Sequence, residues 1–158
     1  AQWARDRPHR RRAPAPPHTV SGAFLLDTSA WNRRNATPEL SSHWTGLAAS
    51  GRVAVCPPVR LELLFSARGP ADYVAFADEL DSLRSFELSP RAVGRAAQVQ
   101  ALLADGSQHR GPSAVDLYVA AIAELNDAVL VHYDRHFDAI ARVTGQQTEW
   151  IAPRGTLD

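Results

Sequence analysis

The sequence predicts an α/β fold, a mostly parallel sheet of four to five strands covered by helices on both faces. Three observations lead there. Short apolar runs alternate along the chain with segments of helical periodicity. Those runs are nearly continuous in apolar residues, without the polar alternation of a sheet that has one wet face, as expected of strands buried on both sides. The 158 residues contain no internal repeat and suit one compact domain with its own core.

The elements follow in order. Ala23-Phe24-Leu25-Leu26 is a buried strand, ending in Asp27-Thr28-Ser29, which are helix-capping residues. Thr37-Pro38-Glu39 opens a helix with proline in its first turn, and Gly51 closes it. Val53–Cys56 forms the second strand. Pro57-Pro58 starts a helix that runs through Ser66, and after the break at Gly69-Pro70 another spans about Ala71 to Leu83. Phe86-Glu87-Leu88 reads as a short strand, and Ser89-Pro90 opens a helix reaching about Asp105. A loop with two glycines and a proline leads to Ser113, which caps an apolar helix carrying Val115, Leu117, Tyr118, Ala120, Ala121, Ile122 and Leu125. Asn126-Asp127 marks a turn, Ala128–Tyr133 a strand, Asp134–Thr144 a helix and Thr148–Ile151 the closing strand.

Composition narrows the function classes. The single cysteine, Cys56, lies in the apolar run Val53-Ala54-Val55-Cys56 and reads as a small buried hydrophobe. One cysteine excludes a disulfide framework and a cysteine-built zinc site, which fits a reducing, cytoplasmic setting. No apolar stretch approaches the roughly 20 residues that span a bilayer. The zero net charge hides an asymmetry: five of the 17 basic residues, all arginine, fall in residues 1–20 against one acid, Asp6. With four prolines and no apolar periodicity, residues 1–20 read as a disordered tail, either a phosphate-binding arm or an added leader, ahead of a domain spanning 21–158. Beyond the tail, twelve arginines face sixteen acids.

Four of those acids occupy places where open α/β sheets bind ligands, outside the carboxyl ends of the strands. Asp27 ends the first strand and Asp134 follows the strand Val129-Leu130-Val131-His132-Tyr133. Glu62 sits about one and a half turns into its helix, on the polar side of Leu61, Leu63 and Leu64, and Asp116 lies in the first turn after Ser113. Singly, each has a simpler role as a helix cap, a dipole partner or a solvated side chain. Together, four carboxylates on one side of a small domain repel one another unless a cation compensates. Mg²⁺ or Mn²⁺ is the natural compensator, being a hard ion that takes oxygen ligands from a few carboxylates, water and substrate phosphate. Such a site hydrolyses phosphodiesters without a side-chain nucleophile.

Four segments carry a resemblance to a known family. They are Phe24-Leu25-Leu26-Asp27-Thr28-Ser29-Ala30-Trp31, Pro58-Val59-Arg60-Leu61-Glu62-Leu63-Leu64, Ser113-Ala114-Val115-Asp116-Leu117-Tyr118-Val119-Ala120-Ala121 and His132-Tyr133-Asp134-Arg135-His136-Phe137-Asp138. In this order and spacing, over about residues 22–152, the chain resembles PIN-domain proteins, specifically the VapC-type toxin ribonucleases of bacterial toxin–antitoxin pairs. The resemblance implies a three-layer α/β/α fold and a Mg²⁺- or Mn²⁺-dependent endoribonuclease acting on structured RNA such as tRNA. It further implies a small cognate antitoxin as partner and a homodimer. Asp27, Glu62, Asp116 and Asp134 match the family's acidic positions, and Thr28 or Ser29 matches the hydroxyl that supports the first of them. Asp138 matches a further acid at the rim. The family often has a basic residue before the third acid, as in Arg-x-x-Asp; here Arg110 lies six residues ahead of Asp116, with Gly111-Pro112-Ser113 between, so it departs from that spacing as a contact for RNA.

Other residues carry weaker signals. His109, His132 and His136 read as surface or hydrogen-bonded histidines before metal ligands. Trp31 and Trp44 read as packing for the early helices before base-stacking platforms. Arg33, Arg34, Arg60 and Arg68 read chiefly as solvated helix faces. Two alternatives remain. A catalytically silent adaptor of the same fold would bind RNA or protein without a metal-dependent rise in melting temperature. A Mg²⁺-dependent phosphatase with Asp27 as nucleophile would need an acid two residues on, where Ser29 stands.

Overall fold

The computed structural model describes residues 22–157; the tail expected over residues 1–20 lies outside them. The chain runs β1 (Phe24–Leu26), α1 (Thr28–Trp31), α2 (Pro38–Ala49), β2 (Val53–Val55), α3 (Pro57–Phe65), α4 (Pro70–Asp81), β3 (Arg84–Ser85), α5 (Pro90–Asp105), α6 (Ala114–Leu125), β4 (Val129–His132), α7 (Arg135–Thr144) and β5 (Thr148–Trp150). The five strands form one sheet in the order β3-β2-β1-β4-β5, and every pairing is parallel. The helices cover both faces, giving the three-layer α/β/α arrangement expected.

Local chemistry sets the helix ends. Thr37, Ser89 and Ser113 cap α2, α5 and α6, each accepting a backbone N–H three residues on. Proline occupies the first turn of α2, α3, α4 and α5, where its missing N–H costs nothing. Gly51 and Gly145 follow α2 and α7 at φ of +70° and +73°, the left-handed conformation that only glycine adopts without strain.

Two expectations need correction. Phe86-Glu87-Leu88 is not the third strand; Arg84–Ser85 is. The Phe86 N–H still donates to the Val55 carbonyl at 2.9 Å, but its ring turns into the core, and the Ser89-Pro90 cap takes the chain out of the sheet three residues later. The helix expected to reach Leu83 ends at Asp81, because the Ser82 N–H closes back onto the Asp78 and Glu79 carbonyls.

The core centres on the two middle strands. Leu25 and Leu26 of β1 and Leu130 and Val131 of β4 are all 1% exposed or less, and burying each contributes about 1.5–3 kcal/mol. Ala120, Ala121 and Ala123 are small enough to bring α6 close to β4, while α5, α6 and α7 pack on one another. Sequence order moves from β1 to β2 to β3 in one direction, then jumps back across β1 to β4. The reversal falls between β1 and β4, and it is outside the carboxyl ends of strands at such a reversal that α/β sheets form their ligand crevice.

Candidate active site

Asp27 stands where β1 leaves the sheet, at that reversal. Its N–H donates to the Val131 carbonyl at 3.0 Å, so β1 and β4 end together. Its backbone is extended and its carboxylate caps α1, accepting the Ala30 N–H at 3.0 Å. The Ser29 hydroxyl lies 2.8 and 2.9 Å from the two carboxylate oxygens. Asp27 is only 6% exposed, and burial pushes its pKa from 3.8 up to about 6 against the lowering effect of these hydrogen bonds. The charge of Asp116 adds a smaller push in the same direction.

Ser29 joins two strand ends. Its oxygen also accepts the Tyr133 N–H, at 2.8 Å, just beyond β4. Beside it, the Thr28 hydroxyl donates to the Glu62 carboxylate at 2.5 Å, tying α1 to the exposed Glu62 on α3. Both hydroxyls singled out in the sequence therefore engage candidate acids, each a different one.

On the other side of the crevice the acids do two jobs. Asp116 closes a capping box with Ser113: its carboxylate accepts the Ser113 N–H at 2.7 Å while the Ser113 hydroxyl accepts the Asp116 N–H at 3.1 Å. Asp134 caps α7 through the His136 N–H at 2.9 Å. The His136 ring stands between them, with Nδ1 3.4 Å from Asp134 and 4.0 Å from Asp116. The loop before α6 leans on that ring, since a Cβ added to Gly111 would lie 3.4 Å from it. Its neighbour Arg110 is exposed and makes no hydrogen bond or ion pair among the described residues.

Asp138 faces away from this group. It accepts the Trp150 indole N–H at 2.9 Å and lies 3.8 Å from Nε2 of His132, which is fully buried at the end of β4. Nδ1 of His132 accepts the Asp134 N–H at 3.2 Å. Burial lowers the pKa of this histidine.

The fit to a divalent cation rests on the donor set. Asp27, Glu62, Asp116 and Asp134 offer only hard carboxylate oxygens, and among the described residues none of the four pairs with an arginine. Among those residues, no three Asp, Glu, His or Cys side chains stand together as a ready-made ion cage. The donor type is what hard ions such as Mg²⁺ or Mn²⁺ take, and Mg²⁺ keeps several waters and binds through one or two carboxylates plus substrate phosphate.

The weaker candidates resolve into packing and pairing. Trp31 and Trp44 are buried: Trp31 stacks under Arg34 and near Phe76, and Trp44 meets Phe24 edge to face. Arg34, Arg60 and Arg68 pair with Glu79, Asp81 and Asp72, and Arg33 lies over the Tyr133 ring. Cys56 is buried and its thiol is pushed up to about 12, chiefly by burial, so it is not a reactive nucleophile. His136, read from the sequence as a surface or hydrogen-bonded histidine, stands beside two of the candidate acids; its place two positions after Asp134, in the first turn of a helix, was the signal for that placement.

A family model described as PIN domain matches residues 24–143. The chain is 45% identical over 136 residues to Ribonuclease VapC18 of Mycobacterium tuberculosis (strain ATCC 25618 / H37Rv), covering 85% of this chain and 98% of that protein. It is 41% identical over 133 residues to Ribonuclease VapC2 of Mycobacterium tuberculosis (strain CDC 1551 / Oshkosh), covering 83% and 94%. Among solved structures, DNA-bound VapBC from Salmonella typhimurium matches with a TM-score of 0.67 at 17% identity, over 82% of this chain and 98% of that one. Mycobacterium tuberculosis VapC20, a sarcin-ricin loop cleaving toxin, matches at 0.53 with 22% identity, over 74% and 94%. At those identities the solved structures speak to the fold alone.

Proposed function

The chain belongs to the PIN-domain family and, within it, to the VapC group; from that premise we propose that it is a toxin endoribonuclease hydrolysing RNA phosphodiester bonds with the help of Mg²⁺ or Mn²⁺. The observation that carries this reading is the buried carboxylate of Asp27 at the β1/β4 reversal, which feels the charge of Asp116 and which no arginine among the described residues neutralises. Two relatives bearing the name ribonuclease, each over 40% identical across more than four-fifths of the chain, support it.

The residues divide the work. Asp27, Asp116, Asp134 and Glu62 would hold the ion, which supplies charge neutralisation at the phosphate and a more acidic water. Ser29 fixes the Asp27 carboxylate, and Thr28 aims Glu62 across the crevice. Glu62 is the most exposed of the four and would take the proton of a water whose oxygen adds to phosphorus, while the ester oxygen released as the P–O bond breaks takes a proton from solvent water. Asp27 is held by the Ser29 hydroxyl and the Ala30 N–H, and Ser29 stands where a phosphatase would need its second acid, which counts against the phosphatase alternative. A silent adaptor remains the competing reading, favoured by the lack of a ready-made ion cage among the described residues.

We further assign the protein a cognate antitoxin, seated on an apolar stripe that includes Leu61 and Phe65 of α3, 70% and 90% exposed. On α2 the largest apolar residue, Trp44, is buried and offers no such surface.

The test is RNA cleavage by the purified chain with Mn²⁺, with chelator, and by Asp27→Asn. Cleavage that needs the ion and disappears in the variant is expected. Cleavage that persists in chelator, or at parent rate in Asp27→Asn, overturns the metal-dependent reading; no cleavage of any cellular RNA with Mn²⁺, and no Mn²⁺-dependent rise in melting temperature, favours the adaptor. Mapping 5′ ends of cellular RNA after brief expression would name the substrate.

A further inference from the structure

Among the described residues, His132 is a buried polar side chain that the mechanism leaves unused. His132 is 0% exposed at the end of β4, with its ring packed against Phe137 and Trp150 at centroid distances of 5.2 and 5.0 Å. A wholly buried imidazole is costly unless its nitrogens are matched, and here they are matched asymmetrically. Nδ1 accepts the backbone N–H of Asp134 at 3.2 Å. Nε2 has no hydrogen-bond partner, but it faces the Asp138 carboxylate at 3.8 Å, near enough for attraction. The same Asp138 oxygen is held by the Trp150 indole N–H at 2.9 Å.

We infer that His132 is a positioning residue for Asp134, its Nδ1 lone pair fixing the Asp134 backbone so that this carboxylate is presented to the ion. The inference rests on the proposed metal-dependent reading of the site. The logic is one of tautomer and direction. A ring nitrogen accepts only when it carries no proton, so the ring proton must sit on Nε2. Asp138, anchored by Trp150, supplies the negative charge that Nε2–H faces, and that choice leaves Nδ1 free to accept. Asp134 sits at φ −140° and ψ 127°, extended, immediately before α7. Its N–H is too early in the chain to join the helix and lies just past the last β4 residue, so the imidazole holds what neither sheet nor helix does. His132, Asp138 and Trp150 thus bring β4, α7 and β5 to bear on one carboxylate.

Two variants separate positioning from simple packing. In His132→Leu the ring is replaced by a side chain of similar bulk without an acceptor; in His132→Asn the side-chain oxygen stands close to the Nδ1 position, but a gap opens beside Phe137 and Trp150. Binding of Mn²⁺ alone is followed by loss of the free-ion paramagnetic signal, alongside melting temperature and the kcat and KM for RNA. His132→Leu is expected to bind Mn²⁺ at least about tenfold more weakly, as loss of residues that orient metal ligands does elsewhere, with kcat reduced and KM unchanged. His132→Asn is expected to keep affinity near the parent's although it melts lower. Parent-like Mn²⁺ affinity in His132→Leu, or losses in both variants that simply follow melting temperature, overturns the role of His132 while leaving the metal site standing. No Mn²⁺ binding by the parent chain overturns the site reading and this inference with it.

Discussion

At the β1 side of the crevice the carboxylate is buried and held by donors from its own turn, whereas at the α6 and α7 side the carboxylates are partly exposed and serve as helix caps. Asp27 pays for burial with a raised pKa and is relieved only by hydrogen bonds from Ser29 and Ala30. Asp116 and Asp134 have stabilising work to do without any ion, in a capping box and at an N-cap. The difference teaches that acids which share one proposed chemical task can have opposite relations to folding. The buried charge of Asp27 opposes folding, while Asp116 and Asp134 support it as helix caps.

The contrast can be broken most decisively at Asp27. A carboxyl whose folded pKa, about 6, exceeds its unfolded value binds protons more tightly when folded, so stability falls as pH rises from about 4 to about 6. The shift corresponds to a cost on the order of 3 kcal/mol, present above pH 6 and absent below pH 4. Without divalent ions, Asp27→Asn is therefore expected to be more stable than the parent at pH 7.5 by up to that amount, and to lose that part of the pH dependence. Denaturant melts at pH 4 and 7.5 in chelator would measure it; a variant less stable than the parent at pH 7.5 would remove the idea that Asp27 is held at a cost.

On the other side the expected effects are smaller and of opposite sign. Asp134→Ala should cost about 1 kcal/mol through loss of the α7 cap, while Asp134→Asn, also a good capping residue, should keep stability. Both should lose cleavage, so the pair separates the capping role from the ion-holding role; equal melting of all three proteins would mean that the cap contributes nothing. Smallest is Arg110→Ala. With no partner among the described residues, Arg110 should change stability by less than about 0.5 kcal/mol. A role in RNA contact would appear as a raised KM that shrinks with added salt; an unchanged KM at low salt would remove Arg110 from the RNA surface.

Much of this was legible in the sequence, and the reasons are local. Leu25-Leu26-Asp27 and the Val129–Asp134 run read correctly as strand ends because a near-continuous apolar run closed by an acid marks where a buried strand leaves the sheet. The α6 cap was readable because Ser113 and Asp116 are three residues apart. β3 was not, since Arg84–Ser85 pairs through backbone alone and carries no apolar signal, while Phe86 just beyond it does. The Thr28–Glu62 bond joins residues 34 apart, and His132, Asp138 and Trp150 meet only because β4 and β5 pair in register at His132 and Trp150. Contacts of that kind depend on tertiary register, which periodicity does not encode.

Ser29 donates to Asp27 and accepts from the main-chain amide of Tyr133, so that amide is a natural reporter. Its nitrogen and proton resonances should move when Asp27 gains or loses its proton, and move again when a metal ion draws the carboxylate away. A single backbone signal would then follow the electrical state of the crevice in real time, with no RNA present.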